Sequence, residues 1–417
     1  MPDNDRRDIS AAGKPGETGS PAEVFRVFLK LGLTSFGGPI AHLGYFRDEL
    51  VVRRRWIDEA GYGDLIALCQ FLPGPASSQV GFSLGVLRGK GLLGGLAAWI
   101  AFTLPSALLL FALASGAGAV HGPLAEGILH GLKLVAVAVI AQAIWGMARS
   151  LAPDRERAGL ALAAVAIVVT LTGSVGQVAA IALGAIGGIA LCRQPGLSIA
   201  AGSTFPITRR AGVAALAAFA VLLFLPSIVW DSGKTGGGAV FDAFYRSGAL
   251  VFGGGHVVLP LLHEAVVAPG WITDEAFLAG YGLAQAVPGP LFTFAAYLGT
   301  VLGSGPVTGL PHGLAGATLA LVAIFLPGLL LVYGTLPFWG TLRARPLAQA
   351  AMRGTNAAVV GILAAALYSP VWTGAVLSPH DFALALAGFL LLTVWKLPPW
   401  IVVGLLAAIG GGIGWLT

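Results

Sequence analysis

Four stretches, residues 91–118, 158–192, 211–230 and 382–416, each run for twenty or more residues with at most one charge. About twenty apolar residues in a helix cross the roughly 30 Å hydrocarbon core of a bilayer, so these runs confine the chain to an all-α polytopic membrane protein. Only 10% of its 417 residues are charged, against about a quarter in soluble domains, which leaves no soluble domain of useful size. Its 61 glycines are about twice ordinary usage and suit helices that approach closely through small residues.

Inside the apolar runs, unusual landmarks occur twice. FLKLGLTSFGGP at 28–39 matches FYRSGALVFGGG at 244–255, and QFLPGP at 70–75 matches QAVPGP at 285–290. Trp56-Ile57 falls on Trp271-Ile272, and FTLPSALLL at 102–110 falls on IFLPGLLLV at 324–332. The chain is therefore an internal duplication. Each half reads as two Gly/Pro-broken segments followed by about four continuous ones, with 211–230 as one extra span between them. An odd span between repeats inverts the second repeat in the membrane. The expected organisation is a polar, disordered cytoplasmic tail at 1–22, a first repeat at 23–195, a linker with the extra span at 196–239 and an inverted second repeat at 240–417. The tail lacks the apolar core of a signal peptide.

Basic residues follow the same inversion. Arg149, Arg155 and Arg157 mark a loop whose counterpart at 369–381 has no Lys or Arg, whereas the loop near 116–126, which has no Lys or Arg, corresponds to one carrying Arg343, Arg345 and Arg353. The positive-inside rule then puts the N-terminus in the cytoplasm and the C-terminus outside. Arg47, Arg53, Arg54 and Arg55 join the cytoplasmic side if residues 24–55 and 60–87 are re-entrant hairpins that turn at the Gly/Pro breaks.

Broken backbone at membrane depth is tolerated against protein or a wet cavity, because an unpaired amide in hydrocarbon costs several kcal/mol. Helix N-termini at Pro39, Pro75, Gly255 and Pro290 would bring amide donors and positive dipole ends together, an arrangement suited to an anion. The candidate anion-binding set is Phe36, Gly37, Gly38 and Pro39; Gln70, Pro73, Gly74, Pro75, Ser77 and Ser78; Gly253, Gly254 and Gly255; and Gln285, Pro288, Gly289, Pro290 and Thr293. The alternative is that the breaks are kinks that allow close packing. Lys30 aligns with Arg246, and two cations at one repeat position suit a dianion, unless both snorkel to an interface. Glu49 aligns with Glu264, and each is a candidate for proton coupling or gating; Glu49 also lies among arginines that could pair with it. His42, His256 and His263 do not align between the halves and read as structural, and Lys133, which aligns roughly with Asn356, is a weaker site candidate. Cys69 and Cys192 stand apart, a spacing that offers no metal cluster, dithiol centre or disulfide framework. No P-loop motif for ATP occurs.

FLKLGLTSFGGP, FRDELVVRRRWID, ALCQFLPGPASSQ, FGGGHVVLPLL and LAQAVPGP together resemble the long, two-domain form of the chromate ion transporter family, over nearly the whole chain from residue 23. One departure is the glycine-rich AGYGDL after Glu59. The resemblance implies a non-enzymatic efflux carrier of the bacterial inner membrane that exports chromate and confers resistance, with sulfate, an isosteric dianion, as competitor. It implies no cofactor, metal or nucleic acid, with the lipid bilayer as surroundings and a homodimer as the candidate assembly. A sulfate or other oxyanion carrier, a passive channel and a membrane-bound chromate reductase are the competing readings.

Overall fold

Where Gly and Pro interrupt the apolar runs, the helices stop and the chain folds back on itself. The computed structural model describes residues 19–36, 38–117, 122–171, 174–193, 205–229, 236–252, 255–307, 309–342 and 345–416. Most of the tail expected at 1–22, together with Gly37, Gly253, Gly254 and Arg343, lies outside these residues. Helices account for all regular structure among the described residues.

The first half comprises α1 (Pro21–Thr34), α2 (Gly38–Phe46), α3 (Glu59–Phe71), α4 (Ala76–Arg88), α5 (Leu92–Ala117), α6 (Pro123–Leu151), α7 (Arg155–Thr170) and α8 (Ser174–Leu191). The linking helix is α9 (Arg209–Val229). The second half contains α10 (Gly237–Ala249), α11 (Val258–Leu262), α12 (Asp274–Ala284), α13 (Phe294–Val301), α14 (Gly313–Thr335), α15 (Trp339–Leu342), α16 (Pro346–Ala366), α17 (Thr373–Ala375), α18 (Pro379–Thr393) and α19 (Pro399–Leu416). The first helix begins inside the stretch read as tail, because Ser20 caps it by accepting from the Glu23 amide and Pro21 occupies its first turn, both favoured at a helix start.

The helices beside the breaks are short. With 14 residues in α1 and 13 each in α3, α4 and α10, they reach about 20 Å at 1.5 Å per residue, less than a bilayer core. Phe28 of α1 and Phe46 at the end of α2 lie on opposite sides of the first break, yet their ring centroids are 5.5 Å apart. Phe277 of α12 and Phe294 of α13 flank the last break, and their rings are 5.3 Å apart. By contrast, Leu92–Gly116, Glu126–Leu151, Gly313–Phe338 and Pro346–Ala375 are long and apolar enough to cross a membrane. Leu93, Leu162, Val175 and Ile186 present their side chains outward, as lipid contact requires. Exposed Trp145, Trp395 and Trp415 near helix ends match the aromatic belts of membrane interfaces.

The halves exchange their packing partners. In the first half α1 and α4 pack on α5, and in the second α10 and α13 pack on α14. Beyond those bundles, α6 packs on α18 and α19 of the other half, while α16 packs on α7 and α8. Small residues permit both crossings: Gly127 and Gly131 lie against the backbone of Gly410 and Leu406, and Gly354 lies against Gly184 and Gly188. Two polar ties reinforce them. His130 of α6 meets Asp381 of α18 at 2.6 Å, and Arg353 of α16 donates to the Cys192 carbonyl beyond α8 at 2.7 Å.

Replacing Gly by Ala inside an open helix surface stabilises by up to about 1 kcal/mol, but a methyl at Gly354 runs into the Gly184 carbonyl. We therefore expect Gly354→Ala to cost about 1–3 kcal/mol and to lower the melting temperature of the detergent-solubilised protein. Gly146→Ala, which meets nothing within 4 Å, should leave it unchanged or raised. Equal effects of the two would refute the packing argument.

Candidate functional site

Breaking a helix leaves carbonyls without partners on one side and amides without partners on the other. The chain satisfies them between its halves. The amide of Gly74, in the first PGP, donates to the Val251 carbonyl beside the second FGG at 2.7 Å. The amide of Gly289, in the second PGP, donates to the Ser35 carbonyl beside the first FGG at 2.8 Å. Ser35 and Val251 are repeat equivalents, as are Gly74 and Gly289, so the same bond is made twice with the halves exchanged.

Both glycines are held at positive φ, +121° for Gly74 and +94° for Gly289, a region that disfavours residues with a Cβ. Space is short as well. A Cβ at Gly74 would lie 3.0 Å from Gly328 Cα, and one at Gly289 would lie 2.7 Å from Ser106 Oγ. Ser106 and Gly328 each follow the in-helix proline of α5 or α14, Pro105 or Pro327. Gln79 adds a third tie by donating through Nε2 to Pro73 O at 2.9 Å and to Gly328 O at 3.0 Å. Sequence reasoning placed Gln79 in the motif without seeing this role.

The two FGG segments also meet. Pro39 Cγ lies 3.5 Å from where a Cβ of Gly255 would stand. A cavity of about 50 Å³ sits among Gly38, Pro39, Gln142, His256, Gln285 and Gly289, and the Gln285 Nε2 amide beside it has no hydrogen-bond partner. His256 Nδ1 and the Tyr281 hydroxyl are 2.6 Å apart. A larger cleft of about 690 Å³, lined by Leu129, Glu275, Tyr297 and His312 among others, contains none of the break residues.

Several expectations change. The central PGP amides are not free for a ligand, because the cross-half bonds consume them; the unclaimed donors are those of the first turn of α4, which starts at Ala76 without a side-chain cap. The second-half breaks start with a 3-10 turn, Gly255–Val257 and Leu291–Thr293, that runs on into helix as far as Val267 and Val301, so Gly255 and Pro290 stand at helix starts as Pro39 and Pro75 do, with a tighter first turn. Gln70 is exposed and therefore differs from its equivalent Gln285. Ser77 and Ser78 are buried at the start of α4. Phe36 lies against Trp400, with centroids 6.4 Å apart, Pro288 is half-buried, and the Thr293 hydroxyl donates to Pro290 O at 2.7 Å.

The structure does not bring the paired cations to the breaks. Lys30 is half exposed and reaches Glu49 at 3.6 Å, while Arg246 binds Asp242 at 2.7 Å and the Leu223 carbonyl at 3.0 Å. Each stands seven residues before its glycine pair, about 10 Å along a helix, and finds a carbonyl or carboxylate partner there. Glu49 sits in the π-helical turn Arg47–Arg53, outside the apolar spans. It accepts from Arg54 at 2.8 Å and Arg53 at 3.4 Å. Burial would raise its pKa, but the Arg54 hydrogen bond and the charges of Arg54, Lys30 and Arg53 outweigh it and hold the carboxyl below its ordinary value. Such a group stays ionised near neutral pH and is poorly placed to carry a coupling proton. Glu264, its equivalent, is half-buried and makes no ion pair among the described residues.

The chromate transporter family model matches residues 22–189 and again 238–413. A chromate transport protein of Pseudomonas aeruginosa is 31% identical over 95% of this chain and 92% of its own length. A probable chromate transport protein of Synechococcus elongatus is 30% identical over 94% and 95%, and a chromate transport protein of Cupriavidus metallidurans is 29% identical over 86% and 85%. No solved structure matches the chain.

Gly289→Ala should destabilise the protein by about 1–3 kcal/mol, read as a fall in melting temperature. Adding Ser106→Gly removes the contact but not the backbone strain, so it should recover only part of the loss; full recovery would show that φ at 289 is unimportant. A second expectation concerns Glu49. Its folded pKa is depressed, so its contribution to stability is complete above the ordinary value near 4.5 and is lost as pH falls through the lowered value. The melting-temperature advantage of wild type over Glu49→Gln should therefore be present at pH 7 and shrink on acidification below pH 4.5. A pH-independent difference would contradict the assignment.

Proposed function

This chain belongs to the chromate transporter family, and on that premise we propose that it is a secondary carrier exporting chromate from the cytoplasm by alternating access. The observation that supports this most is the reciprocal tie between the PGP of each half and the segment beside the FGG of the other. It gives a duplicated chain one place where four breaks converge. In this reading the short folded-back helices are re-entrant, the second half is inverted in the bacterial inner membrane, and α9 is the odd span between them. The N-terminus is then cytoplasmic and the C-terminus external.

Two inverted repeats around a central site open it to one face at a time by rocking. A dianion leaving an inside-negative cell moves down the electrical gradient, worth about 2.3 kcal/mol per charge per 100 mV, or roughly 4.6 for two charges. Export therefore needs no nucleotide. If a proton is exchanged, Glu264 is the better placed of the two matched carboxylates, since Glu49 is held ionised by its three cations.

Inside-out vesicles present the cytoplasmic face to the medium, so export appears as uptake. We expect saturable chromate uptake that an interior-positive potential accelerates and excess sulfate inhibits. Uptake no greater than in vesicles lacking the protein would refute the proposal; a linear, non-saturating flux without counterflow would replace the carrier with a channel.

A further inference from the structure

The two halves share a framework, but at five matched positions beside the breaks the first half carries polar side chains where the second carries Val, Phe and one Thr. His42 Nδ1 and Ser77 Oγ are 3.4 Å apart, and both residues are buried, His42 completely. Ser77 lies in the first turn of α4, a helix of 13 residues with no side-chain cap. His42 Nε2, the Ser35 Oγ at the end of α1, the Ser78 Oγ next to Ser77 and the Thr103 Oγ1 next to Phe102 have no hydrogen-bond partner, although each residue is at most 2% exposed. Buried polar groups are normally paired, so several orphans together need an explanation.

Their surroundings connect them. The Phe102 ring meets His42 edge-on at 5.3 Å; the Phe102 carbonyl faces Gly289, whose amide binds Ser35. In the second half the positions matching Ser35, His42, Ser77, Ser78 and Thr103 are Val251, Val258, Phe292, Thr293 and Phe325, all buried. Phe292 and Phe325 stand 5.6 Å apart by ring centroid, and Thr293 is satisfied within its own loop. At these matched positions the second half is apolar or self-satisfied, whereas the first half holds a set of buried polar groups without partners.

We propose that the oxyanion is bound by the first half alone, in the pocket of Ser35, His42, Ser77, Ser78 and Thr103, with the His42 Nε2–H as its central donor. This rests on the chromate-carrier reading above. When the Ser77 hydroxyl donates to Nδ1, the neutral imidazole carries its proton on Nε2. That proton, the hydroxyls and the unclaimed amides at the positive end of α4 form a set of donors, and an oxyanion is a pure acceptor. A hard cation would instead require carboxylate or carbonyl oxygens, and the pocket contains no carboxylate. Lys30 and Arg246 are engaged elsewhere, so the ligand is held by neutral groups that need not be pulled from an ion pair to release it.

Equilibrium binding of radiolabelled chromate to the purified full chain tests this, with each variant first shown to be monodisperse. His42→Phe keeps an aromatic ring beside Phe46 and Phe102 but lacks the donor, and should weaken binding about tenfold or more. His42→Gln retains an N–H donor and should stay within about threefold of wild type. The mirror change Val258→Thr should leave affinity unaltered. Should His42→Phe fail to fold, Ser77→Ala removes the orienting hydroxyl and should weaken binding several-fold in its place. Wild-type affinity in a folded His42→Phe protein, or an equal loss in Val258→Thr, overturns the one-sided pocket while leaving the carrier reading intact. A wild-type protein that binds neither chromate nor sulfate overturns both.

Discussion

Two backbone hydrogen bonds, Gly74 N–H to Val251 O and Gly289 N–H to Ser35 O, hold the architecture together at its most vulnerable points. Interrupting a helix releases amides and carbonyls that cost free energy when they are buried unpaired. Here the carbonyl released at the end of one broken helix receives the amide released in the opposite half. The condition for each break is the presence of the other, so neither half can satisfy its own backbone at these points alone.

The same dependence extends outward. Because α6 is covered by α18 and α19, and α16 by α7 and α8, each half completes the other's periphery as well as its centre. Glycines at the crossings let backbones meet, which matters in a bilayer because lipid tails offer no hydrophobic drive for helix association. Rocking between two states would then have to preserve these ties or exchange them.

Much of this was legible in the sequence because Gly and Pro leave distinctive marks. The duplication, the positions of the breaks and the helical class all follow from FGG, PGP and the apolar runs. The cross-half bonds were not legible, since they join backbone atoms and carry no side-chain signature. Lys30 and Arg246 were half legible for a related reason: a repeated cation in an apolar run looks like a ligand, and the sequence does not show that Arg246 pairs with Asp242 one turn away or that Lys30 meets Glu49 once the chain folds back. His42 was passed over because it does not align with another histidine. The informative signal was the reverse, a run of polar positions in one half facing Val and Phe in the other.

On the proposed reading the substrate sits at the breaks of the first half, where they meet the second PGP. Anomalous diffraction at the chromium absorption edge, from crystals of the protein grown with chromate, locates the ion without reference to any mutant. A chromium peak is expected beside the first turn of α4, within reach of His42, Ser77 and Ser78. A peak in the cleft formed by Glu275, Tyr297 and His312, with none at the breaks, would contradict it.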